Sequence, residues 1–294
     1  MKKHMLQTRW NDLGFTLIEL LTVIAIIGVL AAMITPAVGK AKEKAQIMTA
    51  KKDLQVIIGA IHSYNATYGR LPAPKPAQNS LNDNSPDFTF GTVASTGGTA
   101  LVDRRGQALP LLQNQWANYQ GNNSDVVAIL RDIDRFRNGT LPANWNPAKS
   151  NPPQSMNPQK QDFLDGFKDV DYQKAPAGGN QGISKGGGIG PDGVLRDPWG
   201  NPFIITLDLN YDNSCRDAFY RTEAVSQDKS QSGNPDLGYN GLRRVPAASA
   251  GDNTPHRFEA KTSVMVWSFG PDGKINSNAG ANLLQNKDNV CSWK

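Results

Sequence analysis

Glu19 is the first residue whose setting calls for a chemical explanation. It is the single charged side chain between Phe15 and Val38, in the run FTLIELLTVIAIIGVLAAMITPAV. An acid at mid-bilayer costs roughly 2.5–3.5 kcal/mol on insertion scales, so a carboxylate kept in such a segment calls for a cationic partner. A second oxygen-rich group, Asp208, Asn210 and Asp212 in DLNYDN, alternates as in a calcium loop. That loop type also needs a glycine at its sixth position and an acid at its twelfth, where this chain has Asn213 and Phe219. Cys215 and Cys291 are too few for a metal cluster or a disulfide framework. They form one bond if this part of the chain is exported, worth about 4 kcal/mol in the chain-entropy account, or they stay two buried thiols. His4, His62 and His256 stand in no nucleophile motif and at no metal-ligand spacing, and the acids are scattered, so no enzyme is expected. GGNQGISKGGGIG has no strand before it and has Pro191 where a helix should open, so it reads as a flexible loop and not a dinucleotide site.

The elements that hold these groups begin with the apolar run. As a helix it covers about 36 Å, enough to cross a bilayer. The rival is a secretory signal peptide with MKKHMLQTR as its basic region, but the run exceeds the usual 7–15 residues and no A-x-A-type site closes it. Lys2, Lys3 and Arg9 precede the run and Lys40, Lys42 and Lys44 follow it, so the positive-inside count gives no orientation. Beyond Pro36, residues Ile47, Ala50, Leu54, Ile57, Ile58, Ile61, Tyr64 and Tyr68 recur at three- and four-residue steps. The pattern predicts one helix from Phe15 to Tyr68, roughly 80 Å long, with a kink near Pro36 and Gly39 and an end at Gly69 and Pro72. His62, beside the apolar stripe, reads as a partly buried residue of that helix.

From 73 to 190 the chain reads as a loop-rich insertion. APKPAQNSLNDNSPDFTF and PANWNPAKSNPPQSMNPQKQ are loops, DVVAILRDIDRF (125–136) is a short amphipathic helix, and QDFLDGFKDV is one or two helical turns. After it, Asp197-Pro198 and Gly200-Asn201-Pro202 make turns ahead of a strand from Phe203 to Leu209. AFYRTEAV from Ala218 and KTSVMVWSF from Lys261 are two further strands. Three strands give a small antiparallel sheet whose apolar face the helix stripe covers. GPDG, at Gly190–Gly193 and again at Gly270–Gly273, is a good turn. The composition agrees. Of 294 residues only 38% are hydrophobic, although the first 38 are strongly apolar, and 28 Gly and 19 Pro mark the remainder as rich in loops. The net charge of +5 is mild and dispersed, so no nucleic acid partner is expected.

The basic leader ending in Gly14, followed by FTLIELLTVIAIIGVLAAMITPAV, resembles the processing motif of type IV pilins and type II secretion pseudopilins. The resemblance implies that a prepilin peptidase cuts between Gly14 and Phe15 and methylates the new amine of Phe15. Glu19 then becomes the fifth mature residue and Pro36 the twenty-second. It implies that Glu19 meets the Phe15 amine, its own or a neighbouring subunit's, and so sets axial register in a filament. YNATYGRLP, DPWGNPF, WSFGPDGKI and DNVCSW resemble the major, G-type pseudopilin. In that group the loop after the last strand binds calcium, which on motif position implies Asp272 and Asp288 as ligands here. This loop reads KINSNAGANLLQNK between the two acids, so a full shell needs carbonyls, Asn276 or Asn278, and water.

The expected fold is α+β and type IV pilin-like. It comprises a leader (1–14), a transmembrane and filament-core helix (15–38), an amphipathic spine (39–72), the insertion (73–190) and a sheet domain with a C-terminal loop (191–294). The implied function is a structural subunit of a periplasmic pseudopilus in type II secretion. The subunit first waits in the inner membrane as a single-pass protein with its C-terminal domain periplasmic. Its implied partners are prepilin peptidase, copies of itself and other pseudopilins, and the inner-membrane assembly platform. The alternatives are a surface type IV pilin and a membrane-anchored scaffold or binding protein that never polymerises.

Overall fold

A computed structural model of the protein describes residues 16–79, 87–92, 119–142, 156–171, 186–230, 234, 236–245 and 257–293. It divides into two units, Met1–Ala45 and Gln46–Lys294. Helix α1, Leu17–Tyr68, begins in the first and ends in the second. It stays helical through Pro36, although a proline has no amide hydrogen for the carbonyl four residues earlier. In the first unit every described side chain of the helix is exposed.

In the second unit, α1 buries the stripe its spacing predicts. Ala50, Leu54, Ile57, Ile61 and Tyr64 lie inside, with Ile47, Ile58 and Tyr68 packed at the margin. His62 is exposed, not partly buried, because it points away from that stripe and meets the Ser263 hydroxyl at 3.3 Å. Gly69 ends the helix with φ +67, its N–H reaching the Asn65 carbonyl at 2.7 Å, a left-handed cap that glycine adopts without penalty. A short helix α2, Lys75–Asn79, follows.

Among the described residues the main sheet has five strands, in the order β2 (Gln120–Gly121), β1 (Phe88–Phe90), β5 (Ile204–Leu207), β8 (Val264–Ser268) and β9 (Val290–Cys291). Its pairs are antiparallel except β1 with β2. Alternation along β8 sends Val264 and Val266 into the core shared with α1, and Met265 and Trp267 into a second core on the other face. Ile205 and Leu207 of β5 join the first core and Ile204 the second. The sheet is therefore covered twice, whereas the sequence predicts one cover. Two-stranded pieces, β3 (Gly188–Ile189) with β4 (Leu195–Arg196) and β6 (Arg243–Arg244) with β7 (Phe258–Glu259), complete the strands.

The second cover comes from the segment expected to be a middle strand. AFYRTEAV forms turns and helix α4, Glu223–Ser226, because the Asp217 carboxylate accepts the N–H groups of Phe219 at 2.8 Å and Tyr220 at 2.9 Å and curls the chain. Phe219, Tyr220 and Val225 then close over Trp267.

The insertion is also more than loop. Its residues Phe88–Phe90 pair with β5, and Gly188–Ile189, inside the glycine-rich stretch, forms β3. Helix α3 is Asn123–Leu130, capped by the Asn122 side chain, and all eight of its residues are buried, so it is not amphipathic. QDFLDGFKDV makes turns without a helix, and Phe163, Leu164 and Phe167 from it enter the core with α1. Tyr64 donates to the Met156 carbonyl and Tyr68 to Asn157 Oδ1, each at 2.6 Å, which fastens this segment to the spine.

Candidate assembly site

The first turn of α1 carries the acid singled out by the sequence. Thr16 precedes the helix and Glu19 is its third residue. Glu19 Oε2 accepts the Thr16 N–H at 2.8 Å and the Thr16 hydroxyl at 2.7 Å, while the Glu19 N–H points back to Thr16 Oγ1 at 3.3 Å. This reciprocal pair is a capping box, in which two otherwise orphaned amides of the helix end find acceptors. Its signal, Thr-x-x-Glu ahead of an apolar run, stands in the sequence, but attention to the charge alone overlooks Thr16. Gly14, Phe15 and the leader lie outside the described residues.

Below that turn the helix is apolar on every side. Leu17, Ile18, Leu20, Leu21, Ile24, Ile27, Leu30 and Ile34 are each more than half exposed, although buried surface is the ordinary setting for such side chains. The polar groups within the run are satisfied by the helix itself, Thr22 donating to the Glu19 carbonyl at 2.9 Å and Thr35 to the Ala31 carbonyl at 2.7 Å. A helix of this kind needs lipid or other apolar helices around it, since its exposed side chains are apolar and the hydroxyls of Thr22 and Thr35 are paired within the helix.

The second candidate lies at the far end of the chain. Two turns come together there, since Asn201 Nδ2 of DPWGNP approaches the Gly270 carbonyl at 3.4 Å. Asp197, fully buried, accepts the N–H groups of Trp199 and Asn201 at 2.9 Å and the Ser268 hydroxyl at 2.5 Å. Burial pushes its carboxyl up to about 6, against the pull of those donors. Gly270 has φ +70, and a Cβ there would lie 2.2 Å from the Asp288 carbonyl oxygen, so only glycine fits. Asp272 and Asp288 do meet, the Asp272 N–H donating to Asp288 Oδ2 at 3.2 Å, while Asp272 Oδ1 accepts the Lys274 N–H at 2.8 Å. Asn276 Oδ1 accepts the Asn278 N–H at 3.0 Å.

The DLNYDN cluster turns its oxygens onto its own backbone. Asp208 accepts the N–H of Asp212 and of Asn213, and Asp212 accepts that of Ser214. Among the described residues no group of three or more His, Cys, Asp and Glu is arranged to hold a metal ion. Cys215 and Cys291 are both buried, each as a thiol. Each thiol has a neighbour: Cys215 Sγ meets the Thr206 carbonyl and Cys291 Sγ the Tyr220 hydroxyl, both at 3.4 Å. Burial, with Asp87 and Asp217 nearby, raises the Cys215 thiol well above its usual range and keeps it unreactive.

Comparison with known proteins bears on the N-terminal turn first. The family model for the prokaryotic N-terminal methylation motif matches residues 11–35. A fimbrial protein, EcpB of Eikenella corrodens, is 42% identical over 154 residues, covering 47% of this chain and 96% of that protein. Type II secretion system core protein G of Pseudomonas aeruginosa is 34% identical over 73 residues, 25% of this chain and 51% of that protein. Its counterpart in Klebsiella pneumoniae is 37% identical over 68 residues, 23% of this chain and 49% of that protein. The chain thus spans about half the length of the secretion relatives it matches. No solved structure matches it.

Proposed function

Because the chain belongs to the type IV pilin-like family, we propose that it is a structural subunit of a type II secretion pseudopilus, assembled through its N-terminal helix. The observation that carries this reading is that the part of α1 from residue 17 to 38 is apolar around its circumference and keeps a lone acid, Glu19, in its first turn. Before assembly the helix anchors the chain in a membrane. Prepilin peptidase then cuts between Gly14 and Phe15 and methylates the Phe15 amine. The freed amine lies one residue from Thr16 and four from Glu19, and residues at that spacing share a helix face. Glu19 can therefore exchange its capping contact for an ion pair with an amine, its own or that of an adjacent subunit. Helices packed without aqueous contact make such a pair strongly dependent on alignment, which supplies register. Similarity to the core G proteins, and the joined DPWGNP and GPDG turns, support a pseudopilus over other filaments.

A second reading has its own support. The fimbrial EcpB is matched over nearly its whole length, which favours a surface pilus. Intact mass of the protein from membranes of its native host tests processing, with a chain beginning at Phe15 and bearing one methyl group expected. A chain retaining residues 1–14 would point to a permanent anchor. Deleting the gene separates the two filaments. Loss of an exported protein from the medium with surface fibres intact supports the pseudopilus, and loss of fibres with export intact supports the pilus.

A further inference from the structure

The loop from Gly270 to Asp288 contains a side chain that neither acid explains. Asn286 is fully buried, and it is the one buried residue with a polar side chain in a segment whose other buried positions are Gly270, Ala279 and Ala281. Its Nδ2 donates to the carbonyls of Asn276 and Ala279, each at 2.8 Å, with the Gly280 carbonyl at 3.4 Å. Its Oδ1 accepts the Asn276 N–H at 2.8 Å. The amide cannot be turned over, because its oxygen would then face three carbonyls and its nitrogen an N–H.

Converging main-chain carbonyls are the arrangement a hard cation gathers. We infer that the Asn286 amide occupies the place a cation would take in this loop, so that the loop holds its shape by hydrogen bonds and without calcium. Three features fit. First, the atom at the centre is a nitrogen at N–H···O distances, whereas calcium takes six to eight oxygens at about 2.3–2.6 Å. Second, an amide carries no net charge, so it needs no anionic shell, and residues 273–287 contain no Asp or Glu. Third, the groups that could complete a shell have other work: Asp272 Oδ1 holds the Lys274 N–H, Asp288 Oδ2 the Asp272 N–H, and Asn276 Oδ1 the Asn278 N–H. The consequence reaches beyond the loop. Asn286 also holds strand β9 in place through its main chain, the Asn289 N–H reaching its carbonyl at 3.4 Å just before Val290. The edge of the sheet is then fixed at any calcium concentration, and the subunit's folding is not gated by the ion.

Thermal unfolding of the full chain in detergent, followed by tryptophan fluorescence, tests this. The wild type is expected to melt at the same temperature, within about a degree, in millimolar calcium chloride and in EDTA. Asn286→Ala should melt about 4–8 °C lower in both, from the buried carbonyls it leaves without a donor. A wild-type midpoint that rises by several degrees with calcium over EDTA would overturn the inference. So would Asn286→Ala melting like the wild type. Should the variant fail to fold, the wild-type comparison still decides.

Discussion

Glu19 has two possible duties, and they differ in what they demand of the side chain. The capping box asks only for an acceptor at the third helical position, which glutamine supplies as well as glutamate. The register role asks for a negative charge facing an amine. Glu19→Gln should therefore fail to build filaments as completely as Glu19→Ala, with expression and leader removal unchanged in both, when sheared fractions are inspected by electron microscopy. Filaments from Glu19→Gln alone would show that capping, not charge, is what assembly requires. Asp87 poses a different residue-scale question. Its carboxylate is buried and pushed up to about 8, chiefly by desolvation and further by Asp208 and Asp212, while the Arg216 N–H pulls the other way at 2.7 Å. Since the folded value lies above the ordinary value of 3.8, the native state holds a proton that the unfolded chain has lost between those two pH values. Stability should accordingly fall as pH rises from about 4 to about 8, and level off beyond. Asp87→Asn removes the titrating group. Melting curves at pH 5 and pH 9 should show the wild type losing several degrees more than the variant, and equal losses would count against the shift.

Asn123 shows at the scale of elements why the insertion is part of the fold. From the first turn of α3 its side chain donates to the Leu195 and Phe203 carbonyls at 2.8 Å and accepts the Leu195 N–H at 3.0 Å, so one residue fixes α3, β4 and the start of β5. Replacing it with alanine leaves the Leu195 N–H and the Phe203 carbonyl buried without this partner, at about 1–3 kcal/mol for each such group. A loss of about 3 kcal/mol in denaturant unfolding is expected, and a loss below 1 kcal/mol would mean the insertion is only loosely attached. This dependence was hard to read from the sequence because long-range pairing leaves little local trace. The stripe on α1 and the alternation of β8 are legible since each repeats over many residues against one partner surface. Phe88–Phe90 is three residues long, too short for a period, and follows Pro, Asn and Ser residues that signal loop. AFYRTEAV has the composition of a strand, and only the Asp217 carboxylate, which captures two amides, turns it aside. At the candidate site, charge made Glu19 conspicuous, whereas Thr16 and Asn286 matter through hydrogen bonds that depend on where the chain folds back.

For the molecule as a whole, the two units differ in what stabilises them. Among the described residues, those of the two apolar cores lie at or beyond Ile47, and the side chains of the helix before Gln46 are exposed. The apolar surface of that described stretch is left for lipid or for other chains to cover. The second unit has a sheet covered on both faces, with Trp267, Tyr64, Phe90 and Phe203 among its fully buried side chains, and so meets the condition for folding alone. A chain of residues 46–294 should be soluble without detergent, monomeric by size-exclusion chromatography, and cooperative in melting, with a midpoint within a few degrees of the full chain's. It should also be unable to enter filaments when mixed with the full-length protein, because neither Glu19 nor the apolar helix is present. An unfolded fragment would show that the N-terminal unit is needed for folding as well as assembly. A fragment that still polymerises would move the assembly surface onto the folded unit, and the Glu19 mechanism would then lose its premise.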